Sequence, residues 1–213
     1  MRIRNLTSVI VAGVALGLVS PTVSTAQTAP AQALGNKSLA SVLAADGHHY
    51  DRNWDDFDIV DKAVTTVLKA KPKSDVAVLA DGKVALTAFL PTDRAFRRLV
   101  EDLAGKRLHR ERAVFKAVAS VADVKTLEAI LLYHVVPGAT LTYQAAKGAD
   151  GAKLATALAG ANLRVKVRHG SVFLRDLDTD DRNARVRTKS KNINKGNKQI
   201  AHGINRVLRP IDL

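Results

Sequence analysis

The chain has 213 residues, with 33 Lys and Arg against 20 Asp and Glu, a formal net charge of +13, and no cysteine. The missing cysteines exclude a disulfide framework, thiolate-held zinc, iron–sulfur clusters, thiol catalysis and a lipid anchor on an N-terminal cysteine. An apolar fraction of 46% belongs to an ordinary globular protein, and the length suits one domain preceded by an extra segment.

Arg2 and Arg4 precede a charge-free apolar run over residues 6–19, which Pro21 breaks. Small residues follow at Ser24, Thr25 and Ala26, and again at Ala31 and Ala33. A basic start, a short apolar stretch and a small-x-Ala site read as a secretory signal peptide over residues 1–26, with Ala26 favoured over Ala33. The run falls short of the roughly 20 apolar residues a membrane span requires. No transmembrane segment is therefore expected in a secreted, extracellular mature chain. Residues 27–37 read as a flexible leader, and one domain follows over residues 38–213.

Within that domain, Phe57, Val60, Val64, Val67 and Leu68 recur at helical spacing, and Pro72 ends the helix. Residues 76–79 and 84–90 read as two strands about a turn at Asp81 and Gly82. Thr92 is a natural N-cap, and Asp93 in the first turn complements the dipole of the helix it opens. Phe96, Leu99, Val100 and Leu103 form that helix's apolar face until Gly105 stops it. Further helices are marked by Val114, Phe115 and Val118, then by Leu127, Ile130, Leu131 and His134 after Asp123. The period then changes from 3.6 to 2. Leu163, Val165 and Val167 alternate with Arg164, Lys166 and Arg168, a return strand covers 171–177, Ala184, Val186 and Thr188 alternate with Arg185, Arg187 and Lys189, and a final strand covers 199–208. Helices first and strands second indicate α+β rather than alternating βαβ units.

Three segments stand together: residues 87–96 (Thr-Ala-Phe-Leu-Pro-Thr-Asp-Arg-Ala-Phe), 132–138 (Leu-Tyr-His-Val-Val-Pro-Gly) and 200–210 (Ile-Ala-His-Gly-Ile-Asn-Arg-Val-Leu-Arg-Pro). In that order and at those separations they resemble the fasciclin domain: its aromatic strand running into Pro-Thr-Asp, its Tyr-His motif and its closing strand. Gly203 and Asn205 depart from the hydrophobic residue and Asp more usual there, and residues 97–126 are long and basic for the family. The resemblance implies a fasciclin-like β-wedge or sandwich of about seven strands with several packed helices. It also implies a cell-adhesion and binding role toward a cell-surface or matrix component, with no catalytic residue and no cofactor.

Through the Tyr-His motif the resemblance places partner binding on Tyr133 and His134. The residues themselves also offer a structural reading: His134 shares a helix face with Leu127, Ile130 and Leu131, so it points inward and needs a hydrogen-bond partner. The basic stripes carry a second expectation. Alternate residues of a strand share a face, which aligns Arg164, Lys166 and Arg168, and likewise Arg185, Arg187, Lys189 and Lys191. Such a face suits an anionic glycan, envelope polymer or lipid surface, against the plain reading of a solvated strand face. Nucleic acid is not expected as the partner, because the interleaved aromatics that stack on bases are missing and the chain reads as exported.

Asp51, Asn53 and Asp55, and again Asp176, Asp178 and Asp180, match the opening ligand spacing of an EF-hand loop. In both runs the turn glycine and the closing bidentate Glu are absent, so they read as turn residues and no metal site is assigned. No catalytic or nucleotide-binding motif occurs.

Overall fold

The computed structural model describes residues 33–179 and 181–210. The signal-peptide assignment falls on residues outside these. Among the described residues, six α-helices, α1 (Leu39–Leu43), α2 (Asp58–Ala70), α3 (Asp93–Ala104), α4 (Glu111–Val121), α5 (Val124–Tyr133) and α6 (Tyr143–Lys147), accompany seven strands. The strands are β1 (Leu86–Pro91), β2 (Val135–Pro137), β3 (Lys153–Ala155), β4 (Asn162–Arg168), β5 (Ser171–Arg175), β6 (Ala184–Arg185) and β7 (Gln199–Ile204). This is the α+β class the residue periods indicate.

The strands form two sheets. One has the order β2-β1-β7, with β1 antiparallel to β2 and parallel to β7. The other is an antiparallel meander, β3-β4-β5-β6. Every residue of β1 is buried, as expected of a strand covered on both faces. Leu86, Ala88 and Leu90 pack into the helical core with Ile59, Val64, Phe96, Val114 and Leu127. Phe89, from the opposite face, packs with Tyr133 and with Leu163, Val165, Val172 and Leu174 of the meander. The layers are therefore helices, three-stranded sheet and four-stranded sheet. The meander turns only one face inward, which is why β4 alternates inward apolar with outward basic residues and β5 alternates buried Val172 and Leu174 with Ser171, Phe173 and Arg175.

Local chemistry differs from expectation in several places. Residues 76–79 are not a strand but part of a 3₁₀ helix, Asp75–Ala80. The Ser74 hydroxyl accepts from the Val76 N–H at 3.2 Å, and Gln199 Nε2 donates to the carbonyls of Val78 and Asp81, both at 2.8 Å. Those contacts use the backbone groups a sheet partner would have needed. Asp93 opens α3, yet its carboxylate caps α2, accepting the Ile59 N–H through Oδ1 at 3.0 Å. The basic strand expected from 184 to 188 ends at Arg185, because the chain bridges to Ile204 at Val186 and then turns as a 3₁₀ helix over Thr188–Ser190. Residues 35–37, read as part of a leader, are tied down instead. Gly35 makes backbone hydrogen bonds with Gly196 and Lys198, and the Lys37 N–H donates to Asn197 Oδ1 at 3.0 Å.

Gly203 has a packing reason. A Cβ there would stand 2.6 Å from Ser190 Cβ and 3.1 Å from Phe57 Cζ. Gly203→Ala is expected to cost about 1–3 kcal/mol by overpacking, read as a lower urea midpoint with an unchanged slope. An unaltered midpoint would show that the Ser190 turn moves aside freely.

Candidate anion-binding surfaces

Register decides which cations become neighbours on the meander. Arg164 of β4 lies directly opposite Lys153 of β3 and Arg175 of β5, so three basic residues stand in one row across three strands. In the next row Lys166 faces Phe173, which faces Arg185 of β6, and beyond it Arg168 faces Ser171. Directly opposed residues share a face, and all six cations lie on the side away from the core. Arg164, Arg168, Arg175, Arg185 and Lys153 are exposed, and Lys166 is half-buried. Like charges directly opposite one another destabilise a sheet, and a counter-anion relieves that repulsion. Arg185 is held in place on this face. Its guanidinium lies 6.0 Å from the Phe173 ring centre and donates to Ser171 Oγ at 3.1 Å.

The remaining predicted cations do not join that row, because the chain leaves the strand after Arg185. Arg187 and Lys189 instead line an open cleft of about 400 Å³ together with Arg185, Arg94 and Arg98. A carboxylate, Asp55, lies among them. It accepts from Arg187 Nη1 at 2.7 Å and from Arg94 Nε at 3.1 Å. The hydrogen bond from Arg187, ahead of the other influences, holds the Asp55 carboxyl below the usual carboxylate range. Arg98 donates to the Asn205 carbonyl at 3.0 Å, and its guanidinium is lowered from its ordinary value by burial first, then by Arg206, Arg94 and Arg187. Lys191 sits apart, with Nζ 4.9 Å from the Tyr143 ring centre.

Sequence patterning alone missed Lys153, Arg175, Arg94 and Arg98. Lys153 sits on a three-residue strand, too short for alternation to reveal. Arg94 and Arg98 are spaced i, i+4 on α3, which places them on one face of that helix.

Tyr133 and His134 lie between the layers. Tyr133 is fully buried, and its hydroxyl donates to the Asn162 carbonyl at 3.1 Å. His134, 4% exposed, donates from Nδ1 to the Ile130 carbonyl at 2.7 Å and accepts the Leu208 N–H on Nε2 at 2.9 Å. Both ring nitrogens are thus committed to the neutral tautomer, and burial lowers the imidazole to about 4. In this conformation the two side chains tie α5 to β4 and to the segment after β7, and neither faces solvent.

The family model of the fasciclin domain matches residues 62–210, more than half of the chain. The chain belongs to the fasciclin family. The fasciclin domain is a non-catalytic fold associated with adhesion and binding. Among solved structures, the FAS1 domain pair from the insect cell adhesion molecule fasciclin I is similar, with 15% sequence identity and a TM-score of 0.49. That alignment covers 71% of this chain and 47% of the other, so this fasciclin chain spans about half the length of that structure. A search of curated proteins gave no match.

Proposed function

We propose that this fasciclin domain is an exported binding module that holds a cell-surface or matrix component bearing anionic groups, such as an acidic glycan or envelope polymer, through the outer face of its four-stranded sheet. The supporting observation is the row Lys153, Arg164 and Arg175, three directly opposed cations whose repulsion a polyanion neutralises. Arg185 continues the same positive surface from the sheet into the arginine cleft. Among the described strand residues of this face, Phe173 is the one aromatic, which gives no stacking ladder for bases and favours a sugar or wall polymer over nucleic acid. No described helix is long and apolar enough to cross a membrane. Export through the N-terminal segment, with cleavage after Ala26, belongs to the same proposal and is read by N-terminal sequencing of the protein from culture medium.

Binding of the purified protein to an immobilised acidic glycan tests the proposal. Affinity is expected to fall steeply from low to high salt, as the Debye length shrinks from about 10 Å at 0.1 M to about 3 Å at 1 M. The double reversal Arg164→Glu/Arg175→Glu is expected to weaken binding at least about tenfold, a loss of about 1.4 kcal/mol. Binding that never appears at low salt, or that the double variant retains in full, would overturn it.

A further inference from the structure

Five carboxylates from three parts of the sequence gather beside the start of α2. Asp51, Asp56 and Asp58 form one group, and Asp58, Asp93 and Glu111 another. Within each group one oxygen per residue lies within 4.8 Å of the others. A single Ca²⁺ with its oxygens at about 2.3–2.6 Å spans such a separation.

Proximity of acids alone would not make a site; here two of the buried side chains also present oxygens with no donor. Asp93 is 0% exposed and Glu111 2% exposed. Asp93 Oδ2 and Glu111 Oε1 find no hydrogen-bond donor among the described residues, although both are shielded from solvent. Their other oxygens are fixed by backbone: Asp93 Oδ1 accepts the Ile59 N–H at 3.0 Å, and Glu111 Oε2 accepts the Arg52 N–H at 3.0 Å. Asp58 Oδ2 accepts the Asp51 N–H at 3.3 Å. Backbone donors of this kind orient ligating carboxylates around metals, and in Asp93 and Glu111 they leave the second oxygen for the ion.

Asp56 Oδ1 is likewise buried without a donor, and the Asp56 and Asp93 side chains lie within hydrogen-bonding reach of one another. Two acceptor oxygens satisfy one another only with a proton or a cation between them. The Tyr50 hydroxyl is buried against the same carboxylates without a partner. The donors are all oxygen, with no imidazole or thiolate in either group, which selects hard cations over zinc or copper. Exposure decreases from Asp51 through Asp56 to Asp58, Asp93 and Glu111, giving an ion a graded path from solvent.

We propose that Asp58, Asp93 and Glu111 hold a divalent cation of the Ca²⁺ class, which enters past Asp51 and Asp56 and fastens the 51–58 loop to α3 and α4. This is not the EF-hand pattern considered from the sequence. Asn53 and Asp55 serve elsewhere: the Asn53 N–H closes a turn onto Asp51, and Asp55 pairs with Arg94 and Arg187.

Chelator-stripped full-length protein is titrated with CaCl₂ and followed by calorimetry and thermal unfolding, with NaCl of matched ionic strength as control. TbCl₃ luminescence sensitised by Tyr50 and Trp54 is the second readout. One-site binding, a Ca²⁺-dependent rise in Tm and displacement of Tb³⁺ by Ca²⁺ are expected. Glu111→Gln and Asp93→Asn should each weaken Ca²⁺ at least tenfold. Both keep the side-chain shape, and the amide introduced by Asp93→Asn still offers an oxygen to the Ile59 N–H, so the fold persists. No Tm shift beyond the NaCl control by about 10 mM CaCl₂, above the range of weak extracellular calcium modules, would overturn the proposal. Undiminished Ca²⁺ binding in both variants would also overturn it.

Discussion

Replacing Arg209 by Met is expected to lower the unfolding free energy by about 3–5 kcal/mol, the range for removing one partner of a buried ion pair. Arg209 is 6% exposed, and its Nη1 donates to Asp178 Oδ2 at 2.6 Å, where the Asp178 side chain is completely buried. Its Nη2 reaches Asp181 at 3.5 Å, and its backbone N–H donates to Asp176 Oδ2 at 2.9 Å. Arg206 adds contacts to Asp102 and Asp181. Together these groups clamp the chain after β7 to the loop that follows β5. Removing the guanidinium takes the Arg209 charge away from the buried Asp178 carboxylate, and burial rather than lost attraction sets the size of the effect. The double variant Arg209→Met/Asp178→Asn should recover part of the loss, because a neutral amide needs no counter-ion. Denaturant unfolding measures both. A loss below about 1 kcal/mol in the single variant would place this pair with solvent-screened surface bridges.

The second large effect is acid sensitivity centred on His134. Its imidazole titrates near 4 in the folded protein, lowered by burial, against the ordinary value of 6.5. The unfolded chain therefore takes up the proton first as pH falls. Stability carried by neutral His134 is complete above about pH 6.5 and is lost progressively down to about pH 4, amounting to about 3 kcal/mol. The geometry explains the direction. An imidazolium has no lone pair for the Leu208 N–H, which is buried and bonded to Nε2. His202 is lowered by burial as well, and its Nδ1 accepts the Asn192 N–H at 3.2 Å, so it contributes with the same sign. Asp176 contributes with the opposite sign: burial raises its carboxyl to about 6, so its effect favours the fold at low pH and is lost as pH rises. The His134 share is therefore read as a difference. His134→Gln should flatten the fall in stability between pH 6.5 and 4 relative to the parent protein. Parallel pH profiles for the two would refute the assignment.

Both effects involve residues whose surroundings were only partly legible along the chain. The inward aim of His134 followed from helix spacing with Leu127, Ile130 and Leu131. Its second partner, Leu208, lies 74 positions away and had no local signature. Tyr133 lies about 100° around the helix axis from His134, yet it is the more deeply buried, because the meander packs over the far face of α5 and β1. Asp93 stands in the first turn of its own helix as expected, and its carboxylate also caps α2, because β1 delivers the end of its chain beside residue 59. The strand expected at 76–79 failed for a related reason. A short apolar run permits a strand, but here the backbone closed into a 3₁₀ helix whose carbonyls Gln199 takes up.

The sequence by itself determined the sign and density of charge, the change of period from helix to strand, the one-sided alternation of the meander and membership in the fasciclin family. Family membership rests on three segments in fixed order along the chain, and the periods and alternation are local patterns carried by neighbours within a turn or two. Only the tertiary structure decided which charges meet. Cross-strand register set Lys153, Arg164 and Arg175 in one row and sent Arg187 and Lys189 to a different cleft. Packing of α3 and α4 against the 51–58 loop brought Asp93 and Glu111 to Asp58. Alternation tells which face of a strand a side chain takes, but its neighbours across strands and helices depend on register and packing, which no local period encodes.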